Sequence, residues 1–302
     1  MVDRSLIVDI KEQSFLVNEQ DVVIENELDS GGQGIISQGT YMNNKIVIKT
    51  LMKNDYDVKE IEAYTKLLHP YMVKFHGYYM DKKENINLVL DYAEGEDLSK
   101  IIPLESLTYK QKLDIVEKLA DFLIYLRENH AIHRDLKPQN IKVQVLNDDS
   151  VDLKVLDFGI TKISKYTVDY TRNNIGTLAY APPEIFTFDE NTNINETVKI
   201  SYKYDIWSLG MITSYLFSGI FPWKSNKSTL SNHLMFVEVQ LIKKKDFIIP
   251  GNLDSNVKKL IAHCTNIDPD KRINPYTILN FIKTIKLGQD VTEINITEDN
   301  YK

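Results

Sequence analysis

Cysteine is nearly absent from this chain: Cys264 is the only one in 302 residues, so no intrachain disulfide can form. A single thiol fits a reducing, intracellular setting, and the cytoplasm is the expected compartment. A basic excess is also missing. With 36 Lys and Arg against 43 Asp and Glu the net charge is −7, which argues against a general nucleic-acid binder, because phosphate binding wants clustered cations. Long apolar runs are missing too. The most apolar stretch, IWSLGMITSYLF (206–217), is too short to cross a bilayer and reads as a buried helix. The start, Met1-Val2-Asp3-Arg4, lacks the basic-then-apolar layout of a signal peptide, so no membrane insertion or secretion is expected. The sequons at Asn195, Asn226 and Asn295 then read as chance matches. No internal repeat is visible.

What is present is an ordinary globular composition, 43% hydrophobic and 26% charged, on a chain long enough for one large domain or two small lobes. Its character changes near residue 95. Before that point DVVIENEL, GIISQGTY and KIVIKTL alternate as strands do, with a glycine cluster between the first two. Residues 55–68 look helical, with Val58, Ile61, Ala63, Tyr64, Leu67 and Leu68 on an apolar face. VKFHGYYM and INLVLDYA read as two more strands. Beyond residue 104 helices take over. LTYKQKLDIVEKLADFLIYLRENH (107–130) opens with Thr108 as a cap and carries Leu113, Val116, Ala120, Leu123 and Leu126 near helical spacing. DENTNINETVK (189–199) reads as a surface loop, and the last polar stretch as a frayed tail.

The chemistry concentrates in AIHRDLKPQN (131–140), where an imidazole, a guanidinium, a carboxylate, an ammonium and a carboxamide share one short loop. A packed core could not bury that set without partners. Upstream, Gly31, Gly32 and Gly34 lie between two strands. They are either a plain hairpin turn or a place where backbone N–H groups approach a phosphate. Lys49 follows in mid-strand, directed to solvent or to phosphate charge. A carboxylate from the next helix, Glu60 or Glu62, could orient it; two apart, they point in different directions. Asp157 ends the strand-like LKVL ahead of Gly159 and suits a Mg²⁺ ligand, as does the amide oxygen of Asn140. Asp135 remains as the carboxylate able to accept a hydroxyl proton.

In their order these motifs resemble the eukaryotic protein kinases of serine/threonine type over roughly residues 20–285. HRDLKPQN is similar to the family's catalytic loop at His133, Arg134, Asp135, Leu136 and Asn140, DFG stands at 157–159, and IVIK matches the lysine strand. GTLAYAPPE (176–184), DIWSLG (205–210) and Arg272, which the resemblance pairs with Glu184, complete the series. The resemblance implies an α+β, two-lobed fold: a small antiparallel sheet lobe with one helix, about 21–92, and a larger, mainly helical lobe, about 97–285. Residues 1–20 are then an N-terminal extension and 286–302 a polar tail.

The same resemblance implies transfer of the γ-phosphoryl group of ATP to Ser or Thr hydroxyls of protein substrates. Asp135 is the expected base, Lys137 screens the transferred group, and Asn140 and Asp157 hold magnesium. The family's spacing, nine residues before the His69-Pro70 pair, selects Glu60 over Glu62 as the partner of Lys49. Glu60 is expected at a solvent-open cleft, so that Lys49→Met leaves the fold intact. Nucleotide contacts fall to Gly31, Gly32, Gly34, Ile36, Val47 and Lys49, then to Leu90, Asp91, Ala93, Asp97 and Lys142. His133 packs under Phe158, and Arg134 receives an activating phosphate placed on segment 158–177 by an upstream kinase, with Thr171 favoured over Ser164, Thr167 and Tyr170. Lys137 with Thr177 points to Ser and Thr rather than Tyr as acceptors.

Four departures stand out. Asp29 replaces the first loop glycine, Val47 an alanine and Lys142 an apolar adenine floor, while Glu184 to Asp205 is lengthened by the 189–199 insert. Val47 and Lys142 also support an alternative, a pseudokinase acting as a binding or scaffolding module. A small-molecule phosphotransferase is a third reading; it does not account for the lysine and proline after Asp135 or for the PPE and DIWSLG motifs.

Overall fold

The computed structural model describes residues 15–31, 34–52, 59–164, 168–170, 177–186, 198–220 and 249–294. The chain divides into two compact units, one holding residues 1–94 and 154–159 and the other residues 95–153 and 160–302.

The first unit is an antiparallel sheet of β1 (Val22–Gly31), β2 (Gly34–Tyr41), β3 (Asn44–Leu51), β4 (Phe75–Met80) and β5 (Ile86–Asp91), in the order β1-β2-β3-β5-β4. The alternation read from the sequence appears in the burial of β2 and β3, while β1 is exposed at nearly every position and β5 is buried from Ile86 to Leu90. Ile46 and Ile48 point to one face and pack with Val17, Tyr79 and Val89. Each such side chain contributes about 1.5–3 kcal/mol by leaving water. Met42 and Asn43, both at positive φ, turn β2 into β3. One helix, α1 (Lys59–Lys66), accompanies the sheet and buries Glu60, Ile61, Ala63 and Tyr64.

Three expectations change here. The helix read over 55–68 runs from 59 to 66; residues 53–58 lie outside the described residues, and Leu68, expected on the apolar face, is 83% exposed. Part of the stretch read as an N-terminal extension packs with the sheet. Val17 is in the core, its N–H bonds the Tyr78 carbonyl, and Phe15 stacks on Phe75 at 5.7 Å. The small unit also takes in residues 154–159 from far along the chain, where the Val155 N–H donates to the Tyr71 carbonyl and the Lys154 ammonium to that of Pro70.

The second unit carries β6 (Glu96–Asp97), α2 (Leu98–Ile101), α3 (Tyr109–Glu128), β7 (Ala131–Ile132), β8 (Ile141–Val145), β9 (Val151–Val155, whose last two residues count with the first unit) and β10 (Lys162–Ile163). After β11 (Val168–Tyr170) and β12 (Val198–Ile200) come α4 (Lys203–Ser218), α5 (Ser255–Cys264) and α6 (Pro275–Lys286). Thr108 opens α3 with a reciprocal cap: its hydroxyl accepts the Gln111 N–H at 3.2 Å, and the Gln111 side chain accepts the Thr108 N–H at 2.9 Å. Such a cap contributes about 1 kcal/mol. Leu113, Val116, Ala120, Leu123 and Leu126 are all buried, and α3 packs on α6 and α4. The apolar run 206–217 is the body of α4, buried on nearly every side and closed by Gly219 in the left-handed conformation. Gly210 lets α5 approach: a Cβ there would lie 2.7 Å from that of the buried Cys264. Among the described residues no helix is long and apolar enough to cross a membrane.

Two further expectations are corrected. The 189–199 segment is not loop throughout, because Val198 and Lys199 pair with Tyr170 and Asp169 in the β11–β12 ladder; residues 189–197 lie outside the described residues. The C-terminal tail does not begin at 286. Lys286 pairs with Asp114 at 2.5 Å and with Glu117 on α3, Val291 is 2% exposed, and Lys259 holds Asp290 at 2.9 Å.

Candidate active site

Charge in the first unit converges on Lys49. Its neighbours in the ladder are Ile36 on β2 and Leu88 on β5, while Val47 lies opposite Gln38 and Leu90. Residues opposite one another share a face, so Ile36, Val47, Lys49 and Leu90 are gathered on the face away from the Ile46–Ile48 core. The Lys49 ammonium donates to Glu60 Oε1 at 2.7 Å and to Asp157 Oδ1 at 2.9 Å. Burial by itself would lower the lysine pKa, but the Glu60 and Asp157 carboxylates outweigh it and hold the group above its ordinary value, charged at neutral pH. Glu62 instead pairs with Lys66 on the exposed side of α1, at 2.6 Å. Glu60 is 3% exposed, which corrects the expectation of a solvent-open position.

Asp157 occupies left-handed backbone, φ 61°, which costs a residue with a Cβ about 1–3 kcal/mol unless its surroundings fix it. Its Oδ1 accepts the Gly159 N–H at 3.2 Å as well as the lysine. A Cβ at Gly159 would crowd this cluster, standing 3.2 Å from Asp157 Oδ1 and 3.4 Å from Glu60 Oε2. Tyr64, one turn beyond Glu60 on the same face of α1, stacks on Phe75 at 5.5 Å and meets Phe158 edge-on at 5.2 Å. Burial, with the Glu60 and Asp157 charges, pushes its phenol well above the ordinary value.

In the second unit Asp135 is held by three donors. Oδ2 accepts Lys137 Nζ at 2.7 Å and Asn140 Nδ2 at 3.0 Å, and Oδ1 accepts the Thr177 N–H at 2.8 Å. Lys137 also donates to the Thr177 hydroxyl at 2.6 Å. Asn140 Nδ2 reaches the Asp135 carbonyl too, at 2.9 Å, so both amide hydrogens are engaged and the amide oxygen is the acceptor end left over. The loop needs an anchor because Arg134 sits at φ 71°. Asp205 supplies it from the first turn of α4, accepting the His133 N–H at 2.7 Å and the Arg134 N–H at 2.9 Å. Burial raises the Asp205 pKa, against the pull of His133 and Arg134.

The remaining sequence-selected residues separate into groups. Gly31 faces Gly34 at the end of the β1–β2 ladder, while Gly32 lies outside the described residues. Gly34 has φ 114°, and a Cβ would collide with the Thr50 carbonyl at 2.2 Å, so packing alone demands glycine there. The side chain of Asp91 is bound to His76 at 2.5 Å, and its ladder partner is Ile46, so it is turned from the Lys49 face. Ala93 is half-buried just beyond β5. Asp97 lies opposite Lys142 in the β6–β8 ladder and pairs with it at 3.1 Å, while Ile141 and Val143 on either side are buried. Sequence reasoning treated Tyr64 as core and Asp205 as part of a motif. Their signals were the four-residue step from Glu60 and a carboxylate opening an otherwise apolar helix. Thr171 lies outside the described residues.

A family model described as "Protein kinase domain" matches residues 22–281. Among curated relatives, "Probable serine/threonine-protein kinase gdt2" of Dictyostelium discoideum is 27% identical over 95% of this chain and 17% of its own length. Serine/threonine-protein kinase dst4 of the same organism is 28% identical over 98% of this chain and 59% of its own length. Human serine/threonine-protein kinase DCLK3 is 30% identical over 78% of this chain and 35% of its own length. The chain thus spans less than two thirds of the length of these three relatives. The model match covers most of the chain: this chain belongs to the protein kinase family.

Proposed function

We propose that this chain transfers the γ-phosphoryl group of ATP to Ser and Thr hydroxyls of protein substrates. The observation that carries this reading is the fixing of Asp135 by three donors. A carboxylate so held can orient an acceptor hydroxyl and take its proton as the new oxygen–phosphorus bond forms and the bond to the ADP oxygen breaks. Lys137 stands against the same carboxylate and offsets charge on the group in transfer. Lys49, kept charged by Glu60 and Asp157, serves the ATP phosphates, with Gly31, Gly32 and Gly34 offering backbone donors. Ile36, Val47 and Leu90 supply apolar surface for the base, and Asp91 and Ala93 contribute through their backbones. Asn140 and Asp157 present oxygens only, the donor chemistry that suits Mg²⁺, and would hold it. Bound there, the ion would neutralise phosphate charge.

The Thr177 hydroxyl on Lys137 supports Ser and Thr as acceptors. A phosphate added between 158 and 177 by an upstream kinase, docking at Arg134, is the proposed activation, and the cytoplasm the proposed setting. Val47 and Lys142, which support a non-catalytic reading, replace none of the catalytic groups. The test is incubation of the purified protein with Mg-ATP and a generic protein substrate beside an Asp135→Asn control. The control should lose about 10²–10⁴-fold in turnover with an unchanged melt. Equal activity in both, or phosphotyrosine as the main product, overturns the reading.

A further inference from the structure

The region that the family model matches begins at residue 22, but the first unit is already under way at residue 15. Leu16 bridges to Tyr78 of β4 in parallel register, and the Val17 N–H donates to the Tyr78 carbonyl at 3.0 Å. Leu16 is exposed, Val17 lies in the core, and Phe15 stacks on Phe75. β4 is shaped for this neighbour. Gly77 has φ 142°, and a Cβ there would lie 2.3 Å from the Phe15 carbonyl oxygen and 2.7 Å from Val17 Cγ2. Only glycine lets the two backbones come so close.

The Phe15 and Phe75 rings are 5.7 Å apart at 30°, and the Phe75 and Tyr64 rings 5.5 Å apart at 20°. Three rings thus form one stack. Its innermost member belongs to α1, four residues from Glu60 on the same buried face. Glu60 in turn accepts from the Lys49 ammonium at 2.7 Å. A helix of eight residues has too few internal bonds to hold itself in water, so its place depends on what packs against it.

We infer that Phe15 is a positioning residue: stacked on Phe75, it backs Tyr64 and so fixes the turn of α1 that presents Glu60 to Lys49. The working small unit then begins at residue 15, and a stretch outside the family match completes it. The inference rests on the phosphotransfer reading for its effect on turnover, though not for its geometry. The competing role is a purely structural strap, which would stabilise the sheet without favouring the Lys49–Glu60 pair.

The variant is Phe15→Ala in the full chain, with Phe15→Tyr to keep the ring and Leu16→Ala as the exposed neighbour. Well below each melting temperature, Phe15→Ala should lower kcat about three- to tenfold, while Phe15→Tyr and Leu16→Ala stay within about twofold. In a Glu60→Gln background Phe15→Ala should lower kcat less than about twofold, because residues acting through one another are not additive. By hydrogen exchange, the α1 amides should open about threefold or more faster in Phe15→Ala, with α3 unchanged. Equal losses of kcat in both backgrounds, or unaltered exchange in α1, overturn the inference. Rapid exchange of the Val17 amide in the unmodified protein overturns it too, even if Phe15→Ala does not fold. An unmodified protein that phosphorylates nothing refutes the phosphotransfer reading and leaves exchange in α1 to judge Phe15.

Discussion

Both units bury a cation against carboxylates, Lys49 in the first and Arg272 in the second, and the two are built differently. In the second unit Arg272 is fully enclosed and every donor is engaged: Glu184 takes two bonds at 2.7 and 2.6 Å, and the carbonyls of Asn266, Lys203 and Ile267 take the other three. Its guanidinium also lies over the Trp207 ring at 5.0 Å. In the first unit Lys49 donates to Glu60 and Asp157, and its third hydrogen has no partner among the described residues. A cation whose donors are all engaged holds chain segments together. One with a donor in reserve, between a carboxylate on α1 and another just past β9, is equipped to meet something that arrives. Burial alone does not separate the two, since the Lys49 side chain is only 7% exposed; the count of engaged donors does.

That contrast breaks if the two cations prove interchangeable. Lys49→Met should lower turnover about 10²–10³-fold, seen in kcat rather than KM. It should also lower stability, because Glu60 is left buried without its cation; adding Glu60→Gln should return part of the melting temperature but none of the activity. Arg272→Met should do the reverse. Losing one partner of a buried pair costs about 3–5 kcal/mol, read as a lower urea midpoint, while kcat of the folded protein at low temperature changes less than about threefold, well short of a 1.4 kcal/mol effect.

The smallest effect is expected at Lys142→Leu. On sequence grounds an apolar floor should tighten ATP, but the ammonium is already paired with Asp97 at 3.1 Å. Removing it leaves that carboxylate unpaired and offsets the gain. The shift in ATP affinity should stay within about threefold, under roughly 0.7 kcal/mol, by calorimetric titration. A tightening of tenfold would mean that the pair does not constrain the lysine.

The strands were legible because a half-buried sheet imposes a period of two, and α3 because its cap and apolar stripe agree. Apolar all round, α4 shows no period, so only its length and enclosure could be inferred. The site was legible wherever one residue type carries the chemistry, as at Asp135, Asn140 and Lys49. It was not legible where function depends on what a side chain meets after folding. Glu60 was separated from Glu62 by resemblance, not by helix geometry, and its burial was missed. A tyrosine in an apolar stripe reads as core, and the Phe158 ring that it meets comes much later in the chain. The Asp97–Lys142 pair depends on a ladder register between segments far apart in sequence, and the packing of Lys286 on α3 on a helix contact with no local signature.

The close approach of α5 to α4 at Gly210 makes the chain's single thiol a reporter. Burial pushes Cys264 up to about 12, and at 1% exposure it offers almost no surface to a reagent. Alkylation of the native protein therefore has to wait for these helices to part. The labelling rate of one sulfur, followed by mass spectrometry across a urea series, becomes a clock for the opening of the helical unit. It needs no engineered probe, and no second cysteine competes for the label.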